Sequence, residues 1–532
     1  MSYSRPSFVE VEPGPSSRLE NKYKLYSYRE IYFQNPGQFH GVPALFIPGH
    51  AGSYKQARSI AAESTYYYHE HYAKNTHGGK CDIDFFTVHL NEEFSGLSGR
   101  LIEDQAEYLN DAIQRILELY DGPRSVILVG HSMGGIVART MFMLPNYVPG
   151  SVNTVLTLAT PHVLPPAMLD SRLDRLYKRL ERYWRESYKS GHLQDVTLVS
   201  FAGGTLDQTV NSDAASLEGA IPSSNSMTVF SASIPHVWTS CDHRAILWCN
   251  QLVKIVAAAL IDIIDYRVPS QTISASDRMN IFKERFLPSF SPQSKDLASV
   301  NVRNMEIQIE SEPKIDLQLQ SLTERRLVLM PIVKDDHKSF GVLTDQVLGN
   351  GNRLSLVRCQ GELDHLSCMH APYVIMALPA SKSEQALSFV QVNPKDLKMF
   401  DYVGFAVNSE RAVVGFIRAE FYNDTTAVVA SSISEIALQG LTFNLHSSLS
   451  TTFSIPAINN PLLAYRLSVT RECNWSNPTY FPTMVRQLVS DHGESKFHVK
   501  LFKDMPISIH FHGLPFSSKD NLNLQFWMDP SS

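Results

Sequence analysis

Apolar and polar positions fall into two textures along the chain. Up to about residue 285, short apolar runs alternate with longer stretches of helical period. Residues 41–48 (GVPALFIP), 83–90 (IDFFTVHL), 125–129 (SVILV), 152–159, 196–202 and 227–233 are rich in β-branched and aromatic side chains. Near-continuous runs of this kind read as strands buried on both faces. Residues 101–120 carry apolar side chains at 109, 112, 113, 116 and 117, a helical spacing. Further helices are expected over 135–144, after a glycine-rich turn, and from 243 to about 264. Alternating strands and helices predict a mostly parallel sheet covered on both sides, an α/β domain over residues 1–285.

One stretch near 165–190 stands apart. Leu169, Leu173, Leu176, Tyr177, Leu180, Tyr183 and Trp184 recur at three- and four-residue intervals, with Arg172, Arg175, Lys178, Arg179, Arg182 and Arg185 among them. This is a basic amphipathic helix. It reads either as a surface helix packed on the domain or as a lid-like insertion facing anionic headgroups.

Residues 286–296 (FLPSFSPQSKD) form a Pro/Ser-rich linker, and beyond it the texture changes. Strand-like runs recur at 327–333, 354–357, 373–378, 402–407, 413–421, 464–469, 497–502 and 507–511. Asn350-Gly351 signals a hairpin turn between two of them. Residues 297–532 are therefore expected to form an all-β, sandwich-like module.

Length and composition narrow the class. A chain of 532 residues suits two or three domains. Its 43% hydrophobic and 19% charged residues are ordinary for globular proteins. Forty-seven Lys and Arg against 53 Asp and Glu leave a net charge of −6, which offers no basic footprint for nucleic acid. No run reaches the ~20 apolar residues of a membrane span; 252–264 is broken by Lys254 and Asp262. The first residues lack the apolar core of a secretory signal. Read literally, the chain is soluble and untargeted.

Six cysteines (81, 241, 249, 359, 368, 473) are too few for a disulfide scaffold and lack zinc spacing. Cys359 and Cys368 flank a hairpin-length loop and would suit a disulfide in a lumenal module. His510 and His512, with His498 nearby, read as strand histidines rather than metal ligands. Asn423-Asp424-Thr425 and Asn474-Trp475-Ser476 fit the glycosylation acceptor pattern.

The chemistry centres on Gly130-His131-Ser132-Met133-Gly134, a G-x-S-x-G that follows a buried strand and opens a helix. That context holds a serine on a sharp elbow above the sheet. A serine hydroxyl needs a histidine to take its proton, and the histidine needs an acid to fix its tautomer. In this architecture the chain order is Ser, acid, His. Asp207 follows the strand 196–202 and is the candidate acid, with Asp213 as fallback; Asp195 precedes that strand, at the wrong end of the sheet. His243 is the candidate base, while His236 occupies the same loop. His162 and His192 break the order, and His131 is expected to pack at the elbow. The oxyanion hole would use the backbone amide of Met133 and that of His50 or Ala51, in the loop of Gly49-His50-Ala51-Gly52.

These residues lie within a larger pattern. Segments 45–59 (LFIPGHAGSYKQARS), 84–93 (DFFTVHLNEE), 130–139 (GHSMGGIVAR), 159–163 (ATPHV), 202–210 (AGGTLDQTV) and 242–249 (DHRAILWC) together resemble the GPI inositol-deacylases. The resemblance implies an α/β-hydrolase lipase of the endoplasmic reticulum membrane with a lumenal catalytic domain. Such an enzyme removes the acyl chain from the inositol of GPI anchors on proteins, aiding their export. It implies Ser132 as nucleophile, Asp207 and His243 as acid and base, GPI-anchored proteins as substrate, a membrane surface as partner, and no metal or organic cofactor. Members carry an N-terminal anchor and several later spans, none of which lies within these residues. Action on another lipid ester, acyl transfer, and a silent lipid- or cargo-binding role are the alternatives.

Overall fold

The computed structural model describes residues 4–287 apart from 13–16, 75–77, 123–124 and 168. Beyond them it describes 291–529 apart from 293–297, 303, 313, 319–324, 334–337, 350–353, 380–386, 408–414, 446–447, 461, 471–480, 482, 490–493, 500–505 and 512–520. The chain divides into two compact units, residues 1–287 with 491–494, and residues 288–490 with 495–532.

The first unit is built on an eight-stranded sheet. In chain order its elements are β1 (Pro6–Val11), β2 (Lys24–Glu30), β3 (Val42–Ile47), α1 (Arg58–His71), β4 (Ile83–His89), α2 (Gly99–Leu117), β5 (Val126–His131), α3 (Met133–Met141), β6 (Val152–Leu158), α4 (Ser171–Lys189), β7 (Thr197–Ala202), β8 (Ser226–Phe230), α5 (Asn250–Asp262) and α6 (Ala275–Phe286). Across the sheet the strands run β1-β2-β4-β3-β5-β6-β7-β8. Only β2 runs against its neighbours; β3 to β8 pair in parallel. This is the α/β-hydrolase arrangement.

Alternation along the central strands feeds two cores. Leu45, Leu128 and Val155 face one side, where they pack with α2, α3 and α4. Phe46, Val129 and Leu156 face the other, packed with α1, α5 and α6. Burial on both faces is why these strands read as unbroken apolar runs.

The element α4 corrects the reading of 165–190 as a lid-like insertion. It is the crossover between β6 and β7, and Leu173, Leu176, Leu180 and Trp184 are buried in the domain core. Asp170 caps it, accepting from the Arg172 amide at 2.9 Å and from the Gly99 amide of α2 at 2.9 Å. Its basic face is partly paired: Arg179 with Glu103 at 2.9 Å, Lys178 with Asp174 at 2.8 Å, and Arg185 with Glu181.

The second unit layers mostly antiparallel sheets. One six-stranded sheet includes Arg326–Pro331, Leu354–Gln360 and Tyr402–Val407; another includes Ser339–Thr344, Leu387–Val392 and Phe416–Tyr422. Val328, Leu356 and Phe405 of the first share a core with Phe340, Val342, Val390 and Ile417 of the second, making a sandwich. The second sheet is buried on its other face too, where Leu343, Phe389 and Tyr422 meet Met484 and Trp527 of a five-stranded sheet.

The hairpin expected at Asn350-Gly351 does not form between its flanking strands. The turn lies outside the described residues, and Leu354–Gln360 pairs instead with Ser367–His370 and Tyr402–Val407. Arg326–Pro331 lies on the far side of Tyr402–Val407, so the strands on either side of that turn signal are not neighbours. Cys359 and Cys368, directly opposed across an antiparallel pair, are joined as a disulfide. Asn423 is exposed; Asn474 and His512 lie outside the described residues. Among those residues no helix is long and apolar enough to cross a membrane, and no cluster suits a metal ion.

Candidate active site

Register brings the carboxyl ends of the central strands side by side. Ile47 pairs with Gly130, His131 with Leu158, and Leu158 with Phe201, while Ala202 pairs with Phe230. The loops leaving this edge carry the candidate residues.

Ser132 sits between β5 and α3 at φ 53, ψ −126. For a residue with a Cβ that conformation costs about 1–3 kcal/mol. Its surroundings hold it there. The Ser132 amide donates to the Leu158 carbonyl at 2.8 Å, and its carbonyl accepts from the Thr160 hydroxyl at 2.8 Å and the Gly135 amide at 3.1 Å. The approach is too close for side chains on the glycines. A Cβ on Gly130 would lie 2.7 Å from the Gly135 nitrogen, and one on Gly49 would lie 2.6 Å from the Ser132 Cβ.

Asp207, Ser132 and His243 meet although they are far apart in sequence. The His243 Nε2 is 3.0 Å from the Ser132 Oγ, and its Nδ1 is 3.1 Å from the Asp207 Oδ2. The other carboxylate oxygen, Oδ1, accepts from the Thr209 and Val210 amides at 2.9 Å each, which fixes the plane of the group. The Asp207 side chain is fully buried, whereas that of His243 is 16% exposed. A tautomer with Nδ1–H given to Asp207 leaves the Nε2 lone pair facing the serine hydroxyl.

The competing residues stand elsewhere. Asp195 lies before β7, where its carbonyl accepts from Arg278. Asp213 sits in the short turn Ser212–Ala215. His236 packs against Trp238, with ring centroids 5.1 Å apart. His162 is buried between the Thr157 hydroxyl at 2.9 Å and the Arg139 Nη1 at 3.3 Å. His192 contacts the Ser190 hydroxyl at 2.8 Å.

His131 does more than fill the elbow. Its Nε2–H donates to the His243 carbonyl at 2.8 Å, tying the His243 backbone to the strand that ends at the serine. Burial pushes its imidazole down to about 4, partly opposed by that bond, so the ring is neutral at pH 7. No spacing rule singles out this contact.

The loop after β3 supplies one free candidate donor rather than two. Ala51 is at φ 51, and its amide donates to the Glu93 carbonyl at 3.0 Å, so it is withdrawn as an oxyanion donor. Glu93 is itself anchored by Tyr23 at 2.6 Å, Lys22 at 2.8 Å and Gln105 at 3.1 Å. The His50 amide has no acceptor among the described residues. Its ring Nδ1 accepts from the Gly96 amide at 3.0 Å, and burial lowers its imidazole pKa. The Met133 amide opens α3, one of the N–H groups that a helix leaves unbonded. Glu93 and Thr160 lie within the blocks 84–93 and 159–163, but only the fold shows what they brace.

Exposed apolar side chains surround this edge. Phe94 lies against the His50 ring, at 5.1 Å between centroids, and Leu97, Leu164 and Leu206 are exposed on the loops after β4, β6 and β7. A serine hydroxyl within hydrogen-bond reach of a histidine, and an apolar rim beside it, together suit acyl transfer from an ester with a greasy chain.

Comparison with known proteins gives a consistent set of relatives. The PGAP1-like alpha/beta domain matches residues 38–263. The chain is 36% identical over its full length to a protein of Phaeosphaeria nodorum, covering 58% of it. It is 35% identical over its full length to one of Chaetomium globosum, covering 54%. Both are named GPI inositol-deacylase. The chain thus spans somewhat over half the length of these curated relatives. Among solved structures, an esterase of Thermogutta terrifontis covers 49% of this chain and 90% of its own, at 15% identity and a TM-score of 0.30.

Proposed function

We propose that this chain, which is similar along its whole length to proteins named GPI inositol-deacylase, is a serine esterase hydrolysing the fatty acyl ester on the inositol of GPI anchors. The observation that carries the proposal is the unbroken relay from Asp207 through His243 to Ser132. Ser132 Oγ attacks the ester carbonyl as its proton passes to His243 Nε2, and Asp207 steadies the imidazolium. The amides of Met133 and His50 receive the oxyanion. His243 then protonates the departing inositol oxygen, leaving an acyl-serine. Water, deprotonated by His243, attacks that ester and frees the fatty acid and Ser132.

The substrate is a GPI-anchored protein at a membrane surface, in the lumen of the endoplasmic reticulum, where deacylation supports export. The relatives' name supports the GPI substrate, and the exposed Phe94, Leu97, Leu164 and Leu206 support contact with lipid. Two measurements test the reaction on purified protein. A fluorophosphonate should label Ser132 in the wild type and nothing in Ser132→Ala. An inositol-acylated glycolipid in micelles should release free fatty acid, with Ser132→Ala slower by several orders of magnitude. Labelling without fatty-acid release, or with acyl passed only to an alcohol acceptor, would overturn deacylation. An unlabelled wild type would overturn the esterase.

A further inference from the structure

The turn after β3 is held from outside, by the segment that follows β4. Residues 49–52 close on themselves, the Gly52 amide donating to the Gly49 carbonyl at 3.0 Å. Gly49 lies against the nucleophile, since a Cβ on it would stand 2.6 Å from the Ser132 Cβ. The setting of this turn therefore decides where the next amide, that of His50, points. Two hydrogen bonds reach the turn from residues 93–96. The Glu93 carbonyl accepts from the Ala51 amide at 3.0 Å, and the Gly96 amide donates to the His50 Nδ1 at 3.0 Å. The first holds Ala51 at φ 51, a left-handed conformation that residues with a Cβ rarely adopt. The second holds the His50 side chain. Gly96 also packs close to both candidate oxyanion donors: a Cβ there would lie 3.0 Å from the His50 Nδ1 and 3.5 Å from the Met133 Cγ. The segment itself is fixed, because Tyr23, Lys22 and Gln105 anchor the Glu93 carboxylate. An Nδ1 that accepts has no proton, so the neutral His50 ring carries its proton on Nε2. Partial burial lowers the imidazole pKa, which keeps the Nδ1 lone pair.

We propose that the His50 imidazole is a positioning residue: by accepting from Gly96 it clips the turn 49–52 to the segment 93–96 and holds the His50 amide where the oxyanion forms. The inference rests on the esterase reading and deepens it. Donors stabilise a developing oxyanion only when they are already aimed as the charge appears. A free turn would have to be ordered in the transition state instead. The ring acts through the backbone of its own residue and touches no reacting atom. Its loss therefore lowers kcat and leaves binding of the ground-state ester nearly alone.

Two variants of the full chain test the clip. His50→Leu fills much of the ring's space without an acceptor, whereas His50→Asn offers its Oδ1 near the place of Nδ1. Amide exchange over residues 46–56 needs no ester. It should speed up by about tenfold in His50→Leu and stay near the wild-type rate in His50→Asn, with one urea midpoint for all three proteins. With p-nitrophenyl butyrate, His50→Leu should lower kcat by about tenfold to a hundredfold while KM moves less than about twofold. His50→Asn should recover most of that loss. Unchanged exchange in His50→Leu would overturn the clip whatever the activity. A raised KM at wild-type kcat would make the ring a substrate contact, and equal kcat losses in both variants would take the Gly96 bond out of the account; either result overturns the proposal. A wild type that hydrolyses no ester counts against the esterase reading instead, and the exchange rates still decide the clip.

Discussion

The positive φ of Ser132 shows how one residue's strain is matched by its neighbours' chemistry. One carbonyl acceptor, two donors and bare glycines surround it. The sequence made Gly130, Ser132 and Gly134 conspicuous because the elbow needs those residue types at fixed spacing. It could not show that Ala51 is spent on Glu93 or that His131 braces His243, since both contacts depend on loops meeting in space. His131 makes a measurable prediction. Its imidazole is near 4 in the folded chain and ordinarily near 6.5. Between those values the unfolded chain binds a proton that the folded chain refuses. Stability is therefore full above pH 6.5 and falls as pH drops toward 4, by on the order of 3 kcal/mol. His131→Gln removes this group's contribution. Urea unfolding at pH 7 and pH 4.5 should show a loss smaller by about 2–3 kcal/mol in the variant, and equal losses would contradict a neutral buried ring.

Among the elements, α4 separates two readings of one pattern. Its apolar period and its row of cations were both visible in the sequence, and each suits a lid as well as a core helix. Only the position between β6 and β7, with Trp184 fully buried and its indole N–H donating to the Arg139 carbonyl at 3.1 Å, decides the matter. Trp184→Ala should cost about 3–5 kcal/mol, read as a fall in denaturation midpoint. Arg182→Ser, on the exposed face, should stay within about 0.5 kcal/mol. A stable Trp184→Ala would restore the lid. Other elements escaped the sequence for simpler reasons. In β1 the side chains are mostly half-buried, and β2 mixes Lys24, Arg29 and Glu30 with apolar residues, so neither gives an apolar run. The strand expected through 233 ends at Phe230, and the helix expected from 243 begins at Asn250 after the turn Ala245–Leu247. That shorter helix leaves His243 in a loop, free to reach the serine.

At the scale of the molecule, parallel β-α order was legible because each strand is buried on both faces and each crossover has helical period. The second unit was legible only as β-rich. Its strand partners are non-local, as Leu354–Gln360 and Tyr402–Val407 show, and a turn signal such as Asn350-Gly351 cannot specify them. The chain also spans little more than half of its relatives' length, so its activity is best read where a membrane and a natural substrate are present. The decisive measurement uses cells lacking their own inositol deacylase, expressing this chain with a lumenal signal and membrane anchor, or the same protein with Ser132→Ala. A phosphatidylinositol-specific phospholipase C needs the inositol 2-hydroxyl that the acyl group blocks. If the chain is an inositol deacylase, GPI-anchored proteins should become sensitive to this phospholipase with the wild type and stay resistant with Ser132→Ala. Resistance with both, at equal expression, would contradict that activity.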